Sequence, residues 1–195
     1  MLSPGRRFLF LLSSSRRLGN SEQLAYCAAH ALPAHDEQQW LNLHDFPLPD
    51  FTDLRHGAGY QPPVGNARLL LEATLHATDV VLVTPLYMYN LPGHAKQYLD
   101  YWSAWLRTAN LNFREQVKGK TLWSIVVGSG ARPDAQPLEG SLLLTAAFMQ
   151  MNWGGMLYGS GSRPNDIQDD ARALREAETF FGPPADVAQL LPRKH

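Results

Sequence analysis

Phe8-Leu9-Phe10-Leu11-Leu12, followed by Ser13-Ser14-Ser15-Arg16-Arg17-Leu18-Gly19-Asn20-Ser21, decides the fold. Five consecutive apolar residues read as a strand buried on both faces. The hydroxyl-rich segment after them reads as a loop, and Ser21-Glu22-Gln23-Leu24-Ala25-Tyr26 begins an amphipathic helix. A helix start carries unpaired backbone N–H groups and the positive end of the helix dipole, so it can hold a phosphate. Gly19 permits a tight backbone and Asn20 or Ser21 can cap the helix. Ser14, Asn20 and Ser21 offer side-chain donors and Arg16 a charge, a set scaled to a monophosphate rather than a triphosphate. Taken alone, the segment also fits a polar turn that binds nothing.

Working outward, two other phosphate signatures are excluded. The chain has no Gly-x-x-x-x-Gly-Lys-Ser/Thr run and no Gly-x-Gly-x-x-Gly after this strand. Neither a Walker-type triphosphatase nor a standard dinucleotide Rossmann site is therefore expected. A hydroxyl-rich loop after the first strand instead suggests the flavodoxin-like solution. The length, 195 residues, suits one domain spanning residues 1–195. A net charge of −1 argues against a nucleic-acid binder, which carries a concentrated basic face. The single cysteine, Cys27, rules out an internal disulfide and a cysteine-based metal site, and its place in the first helix suggests a buried structural thiol. Arg6-Arg7 before the apolar run resembles an export signal, but five apolar residues fall short of the roughly 7–15 needed. No other run approaches membrane-spanning length, and a cytoplasmic protein is expected.

Apolar clusters alternate with helical patterns along the rest of the chain. Strands are expected at Arg7–Ser13, Gln39–Leu43, Val80–Pro85, Leu122–Gly128 and near Gly155–Tyr158. Helices are expected near Ser21–Leu32, Ala67–Ala77, Leu91–Arg107, Gln136–Met151 and Asp166–Phe181. Strict alternation predicts an α/β fold, a doubly wound five-stranded parallel sheet in the order 2-1-3-4-5 with helices on both faces. Two connections, His44–Asn66 and Thr108–Lys120, exceed what such folds require. Within the first, residues Arg55–Tyr60 suit a lid or a dimer-contact segment. The tail after Gly182-Pro183-Pro184 reads as one helical turn and a basic end.

Ligands of open α/β sheets bind beyond the carboxyl ends of the strands, at the switch point. The third strand ends in Thr84-Pro85-Leu86-Tyr87-Met88-Tyr89-Asn90-Leu91-Pro92-Gly93. Asn90 can cap the helix whose early position Pro92 occupies. Leu86 to Tyr89 then form an exposed turn suited to the face of a planar heterocycle, although Tyr89 could instead pack beneath the helix. The fourth strand ends in Gly128-Ser129-Gly130, small residues that let backbone approach a ligand. His44, His56, His76 and His94 lack metal-ligand spacing and suit surface or capping roles, and no metal site is expected. Lys96 and Asp100 suit an i,i+4 ion pair.

These three segments resemble the flavodoxin-like NAD(P)H-dependent FMN reductase and quinone reductase superfamily. Residues 13–21 are similar to its Gly-Ser-x-Arg-x-x-Gly-Asn-Thr loop, Leu43-His44-Asp45-Phe46-Pro47-Leu48-Pro49 to the segment after its second strand, and residues 79–100 to its block around Thr-Pro-x-Tyr. The resemblance covers most of residues 6 to 160. It implies that Ser14, Arg16, Asn20 and Ser21 hold an FMN phosphate. Pro85, Leu86, Tyr87, Met88, Tyr89 and Asn90 would contact the isoalloxazine, with backbone N–H groups near N5 and O4, and Gly128, Ser129 and Gly130 would line its pyrimidine side. Ser13 stands where the family has glycine, and would be strained if that position takes a positive φ.

The implied activity is hydride transfer from NADPH or NADH to FMN, then delivery of two electrons to a quinone-like or other small acceptor, with no obligatory acid–base side chain. An electron-carrying flavodoxin and a flavin-free regulatory or scaffold protein of the same fold are the alternatives. The resemblance further implies a homodimer whose second subunit completes the pocket. The Leu91–Arg107 helix, with Tyr98, Tyr101, Trp102 and Trp105, is the candidate interface unless those rings face the sheet.

Overall fold

The computed structural model describes residues 5–184. Five strands, β1 (Arg7–Leu12), β2 (Glu37–Asn42), β3 (Asp79–Pro85), β4 (Thr121–Gly128) and β5 (Asn152–Ser160), form one parallel sheet in the order β2-β1-β3-β4-β5. The helices are α1 (Asn20–His30), α2 (Gly65–His76), α3 (Gly93–Trp105), α4 (Phe113–Val117), α5 (Gln136–Phe148) and α6 (Ala171–Ala177). None of them is long and apolar enough to cross a membrane. The expected tail turn lies outside the described residues.

Side chains alternate across the sheet with the strand period of two. Leu9, Leu11, Val80, Leu82, Leu122 and Val126 face a layer built by α2, α3, α4 and α5. Phe8, Phe10, Val81, Val83, Trp123 and Ile125 face α1 and α6. Both faces are apolar because both are covered, which is why β1 and β3 read as nearly unbroken apolar runs and β4 as one interrupted by Ser124.

Several elements differ from the sequence expectations. The Thr108–Lys120 connection contains α4, whose Phe113 and Val117 are buried, with Phe113 edge-on to Trp102 and Trp105. A five-residue helix is too short to show a period. The expected Asp166–Phe181 helix is broken: Asp166–Asp169 form a 3-10 turn, and Asp170 caps α6 by accepting from the Ala173 N–H at 3.0 Å. On β5, Gly154 is an extra residue where the pairing with β4 shifts after Leu122/Trp123. A Cβ there would lie 2.1 Å from the Trp123 indole, so the bulge makes room for that ring. Cys27 is exposed on α1 rather than buried, because Ala25, Ala28 and Ala29 take the inward face. Tyr98, Trp102 and Trp105 are core residues, at most 3% exposed, so they cannot form an interface.

The amino edge of the sheet is closed around a buried carboxylate. Asp79 accepts from Arg6 Nε at 3.1 Å, from Trp123 Nε1 at 2.8 Å and from Thr78 Oγ1 at 2.7 Å. The Arg6 guanidinium also lies 4.5 Å from the Phe8 ring centroid and donates to the Phe181 carbonyl at 2.9 Å. Asp79→Ala leaves a guanidinium and an indole N–H without their acceptor, and should lower unfolding free energy by about 3 kcal/mol in urea titration. Ligand binding at the opposite sheet edge should persist in the folded variant.

Candidate functional site

The loops after β1, β3, β4 and β5 meet at the carboxyl edge around a cleft of about 300 Å³. Interlocking backbone contacts hold them. Ser13 donates both its N–H and its Oγ to the Val83 carbonyl, at 2.9 and 3.0 Å. Leu86 N–H donates to Val127 at 2.8 Å, and Gly161 N–H to Gly128 at 2.9 Å. The Tyr158 hydroxyl donates to the Gly130 carbonyl at 2.9 Å, and burial raises its pKa.

Helix α1 starts openly onto this cleft. Its N-cap is Gly19, in extended conformation, and no side chain caps the first turn. The expected cap from Asn20 or Ser21 is not formed, because both are inside the helix. Asn20 instead donates Nδ2 to the Arg163 carbonyl at 2.8 Å, and its Oδ1 is buried with no partner among the described residues. Ser14 Oγ accepts from Arg16 N–H at 3.1 Å and keeps its own proton to donate. Arg16 is exposed and makes no ion pair among the described residues, whereas Arg17 is turned aside onto Asp45. Glu22 is buried nearby, but its carboxylate is occupied by the Leu18 N–H at 2.7 Å and the Tyr26 hydroxyl at 3.1 Å.

Ser13 does not have a positive φ; the left-handed residue of this loop is Leu18, at φ 51°. Ser13 continues the line of β1, so serine fits there without strain. Two hydrogen bonds hold the Leu18 backbone, one from its N–H to Glu22 and one to its carbonyl from Gln23 Nε2 at 2.8 Å.

Of the residues singled out from the sequence, Ser14, Arg16, Asn20, Ser21, Pro85, Leu86, Tyr87, Gly128 and Ser129 line the cleft. Met88, Tyr89 and Asn90 do not; they are the exposed tip of the turn after β3, while Gly130 faces the neighbouring surface beside Arg132. The turn closes on itself through Tyr87 N–H to Asn90 O at 3.0 Å and Asn90 N–H to Tyr87 O at 2.9 Å. Asn90 therefore does not cap α3, and Pro92 is the N-cap. With Leu86, Tyr87 and Asn90 N–H groups already donated, the turn keeps those of Met88 and Tyr89 free for a ligand. Sequence reasoning missed Ser15, Gly19, Val127, Gly161 and Ser162 as lining residues. The signal for the last two was the run Gly159-Ser160-Gly161-Ser162, which ends β5 and begins the loop after it, small residues at the same sheet edge. A Cβ on Gly161 would stand 2.9 Å from Asn20 Nδ2, so glycine is what lets this loop close over the start of α1.

His44 and His94, distant in sequence, pack with ring centroids 4.0 Å apart and planes tilted by 49°, and His94 Nε2 donates to the Ser13 carbonyl at 2.8 Å. Neither caps a helix. Lys96 and Asp100 form the expected ion pair.

The residues present fit a mononucleotide. An uncapped helix start, a free guanidinium and two hydroxyls answer a phosphate, and the unpaired Asn20 Oδ1 answers a ligand hydroxyl. Leu86, Tyr87 and Val127 supply apolar surface for a ring. This combination on a flavodoxin-like sheet defines a flavin-mononucleotide-binding class of α/β protein. Residues 6–154 match the family described as NADPH-dependent FMN reductase. The chain is 30% identical over 171 residues to YwqN of Bacillus subtilis, described as an NAD(P)H-dependent FMN-containing oxidoreductase, covering 86% of this chain and 92% of that one. Among solved structures it is similar to the Trp repressor binding protein of Bacillus subtilis, with a TM-score of 0.72, 24% identity, and 90% and 97% of the two chains covered. It is also similar to an NAD(P)H:quinone oxidoreductase of Methanothermobacter marburgensis, with a TM-score of 0.66, 14% identity, and 91% and 97% covered. The chain belongs to the NADPH-dependent FMN reductase family.

Burial lowers the pKa of His94 from 6.5, the His44 ring lowers it further, and the Ser13 carbonyl opposes both. A base whose folded pKa is depressed takes up its proton more readily in the unfolded chain. Its contribution is therefore intact above 6.5 and is lost as pH falls below that value. Urea titrations from about pH 7 to pH 5 should show declining stability. His94→Gln, which keeps a donor without the titration, should flatten that decline.

Proposed function

We propose that this protein is an FMN-dependent NAD(P)H oxidoreductase that passes two electrons to a quinone-like or other small acceptor. The open start of α1, with the unpartnered Asn20 Oδ1 beside it, carries the reading. Ser14 and Ser21 donate to the phosphate, and Arg16 neutralises part of its charge. The free N–H groups of Asn20 and Ser21 complete that shell, while Asn20 Oδ1 accepts from the ribityl chain. Pro85, Leu86 and Tyr87 form the wall for the ring. The Met88 and Tyr89 N–H groups, with Gly128 and Ser129, supply fixed backbone polarity around its polar edge, where added electron density is stabilised by preorganised donors. FMN, when bound, supplies hydride acceptance and two-electron donation. The active unit is a homodimer, joined through the exposed Leu144 and Phe148 beside the groove between α3 and α5. Sedimentation showing only monomer at micromolar concentration overturns the dimer.

Two measurements test the reductase reading. Purified protein loaded with FMN and stripped of free flavin should keep its visible bands and lose them rapidly when NADH or NADPH is added without oxygen. Bands that survive both nicotinamides would defeat the assignment as a reductase. Ser21→Ala and Arg16→Ala should each weaken FMN binding by about tenfold or more, the scale of a hydrogen bond to a charged group. Riboflavin, which has no phosphate, should bind these variants as it binds the parent.

A further inference from the structure

The turn after β3 has two non-glycine residues with positive φ in succession, Met88 at 47° and Tyr89 at 63°. With the paired hydrogen bonds between Tyr87 and Asn90, this is the pattern of a type I′ turn, for which Asn-Gly is the favoured pair. Two bulky L-residues in that conformation destabilise the turn. Packing does not offset the strain, since Met88 is 92% exposed and Tyr89 59% exposed. Nothing within the described chain accounts for the two side chains. The base of the same turn, Pro85 to Tyr87, is a wall of the cleft. The tip therefore continues directly from the wall assigned to the flavin ring.

We propose that the Met88 and Tyr89 side chains form an acceptor platform at the cleft mouth, selecting planar aromatic acceptors such as naphthoquinones over small hydrophilic ones. The proposal rests on the reductase reading for its redox partner and adds the residues that choose the acceptor. A phenol ring and a thioether offer flat and polarizable surface to an aromatic oxidant and little to a hydrated ion. The cleft lining contains no other exposed aromatic than Tyr87. In the step the platform serves, NAD(P)H gives up a hydride and becomes NAD(P)+. The quinone gains two electrons and two protons, one from that hydride and one from solvent, and becomes the hydroquinone.

The test uses FMN-loaded protein reduced anaerobically with dithionite, so that it does not depend on either nicotinamide. Reoxidation by menadione and by ferricyanide is followed per bound flavin in the parent, in Met88→Asn/Tyr89→Gly and in Tyr89→Phe. The double variant carries the pair the turn favours and keeps both backbone N–H groups, so it removes side chains without removing the fold. The menadione-to-ferricyanide rate ratio should fall about tenfold in the double variant, the scale of losing two apolar contacts, and stay near the parent's in Tyr89→Phe. An unchanged ratio, or an equal loss in Tyr89→Phe, overturns the platform. Sedimentation of the same samples supplies the remaining outcome: a ratio that falls only because the double variant no longer self-associates assigns the tip to contact with a second copy and also overturns it. Failure of NADH and NADPH to reduce the parent would defeat the reductase reading while leaving the ratio measurable.

Discussion

The pair of hydrogen bonds from Ser13 to the Val83 carbonyl is the constraint on which the site depends. β1 and β3 lie side by side although α1, β2 and α2 separate them in sequence, and this crossing creates the switch point where a ligand can enter. Ser13 extends the pairing one residue beyond β1, so the loop after β1 and the turn after β3 leave the sheet from a shared hydrogen-bonded rung. The Ser13 carbonyl is in turn fixed by His94 from the first turn of α3. Strand, loop and helix thus converge on one peptide, and the cleft inherits its geometry from the sheet rather than from loop packing.

The opposite edge shows what the sheet looks like when no ligand is anticipated. There Asp79, Arg6, Trp123 and Thr78 satisfy one another, and the buried carboxylate has three neighbouring donors. At the carboxyl edge such mutual satisfaction fails in specific places. A helix starts without a side-chain cap, a buried amide oxygen has no partner among the described residues, and three exposed apolar residues, Leu18, Met88 and Tyr89, hold left-handed backbone. Gathered around one cleft, such groups are what a binding site offers, because they await a partner from outside the chain.

The sheet is legible in the sequence because its central strands are buried on both faces, which leaves unbroken apolar runs such as Val80-Val81-Leu82-Val83 that no loop would carry. Strand order follows from alternation with helices. The loop after β1 is legible as part of the cleft because hydroxyls and an arginine placed between a buried strand and a helix do not suit a core. Less visible are features set by distant partners. α4 is too short for a period, and the break at Asp170 depends on a side chain choosing a cap over a continuous helix. The His44–His94 ring contact joins residues fifty positions apart. The exposure of Cys27 is hidden because an alanine-rich helix has a weak apolar bias, so its buried face cannot be read from composition. Met88–Tyr89 reads from sequence as a wall for the ring, since nothing in the residue types announces that a Met-Tyr pair will take the backbone of an Asn-Gly turn.

The composition of the cleft also bears on what the protein must do for itself. Arg16 and Tyr87 are the ionisable side chains lining it. Neither is a carboxylate or an imidazole, the side chains most often used to move protons. On the proposed function, proton and hydride movement fall to the cofactor, its nicotinamide donor and solvent, which is the division of labour expected of a flavin enzyme. On that reading the chain supplies position: fixed polarity around the ring, anchorage of the phosphate, and the shape of the mouth. Anchorage and fixed polarity act on the cofactor whatever it reduces. On the same reading, discrimination among acceptors comes from surfaces an acceptor meets and the cofactor does not bury, and the strained, exposed tip of the turn after β3 is the surface proposed for that role.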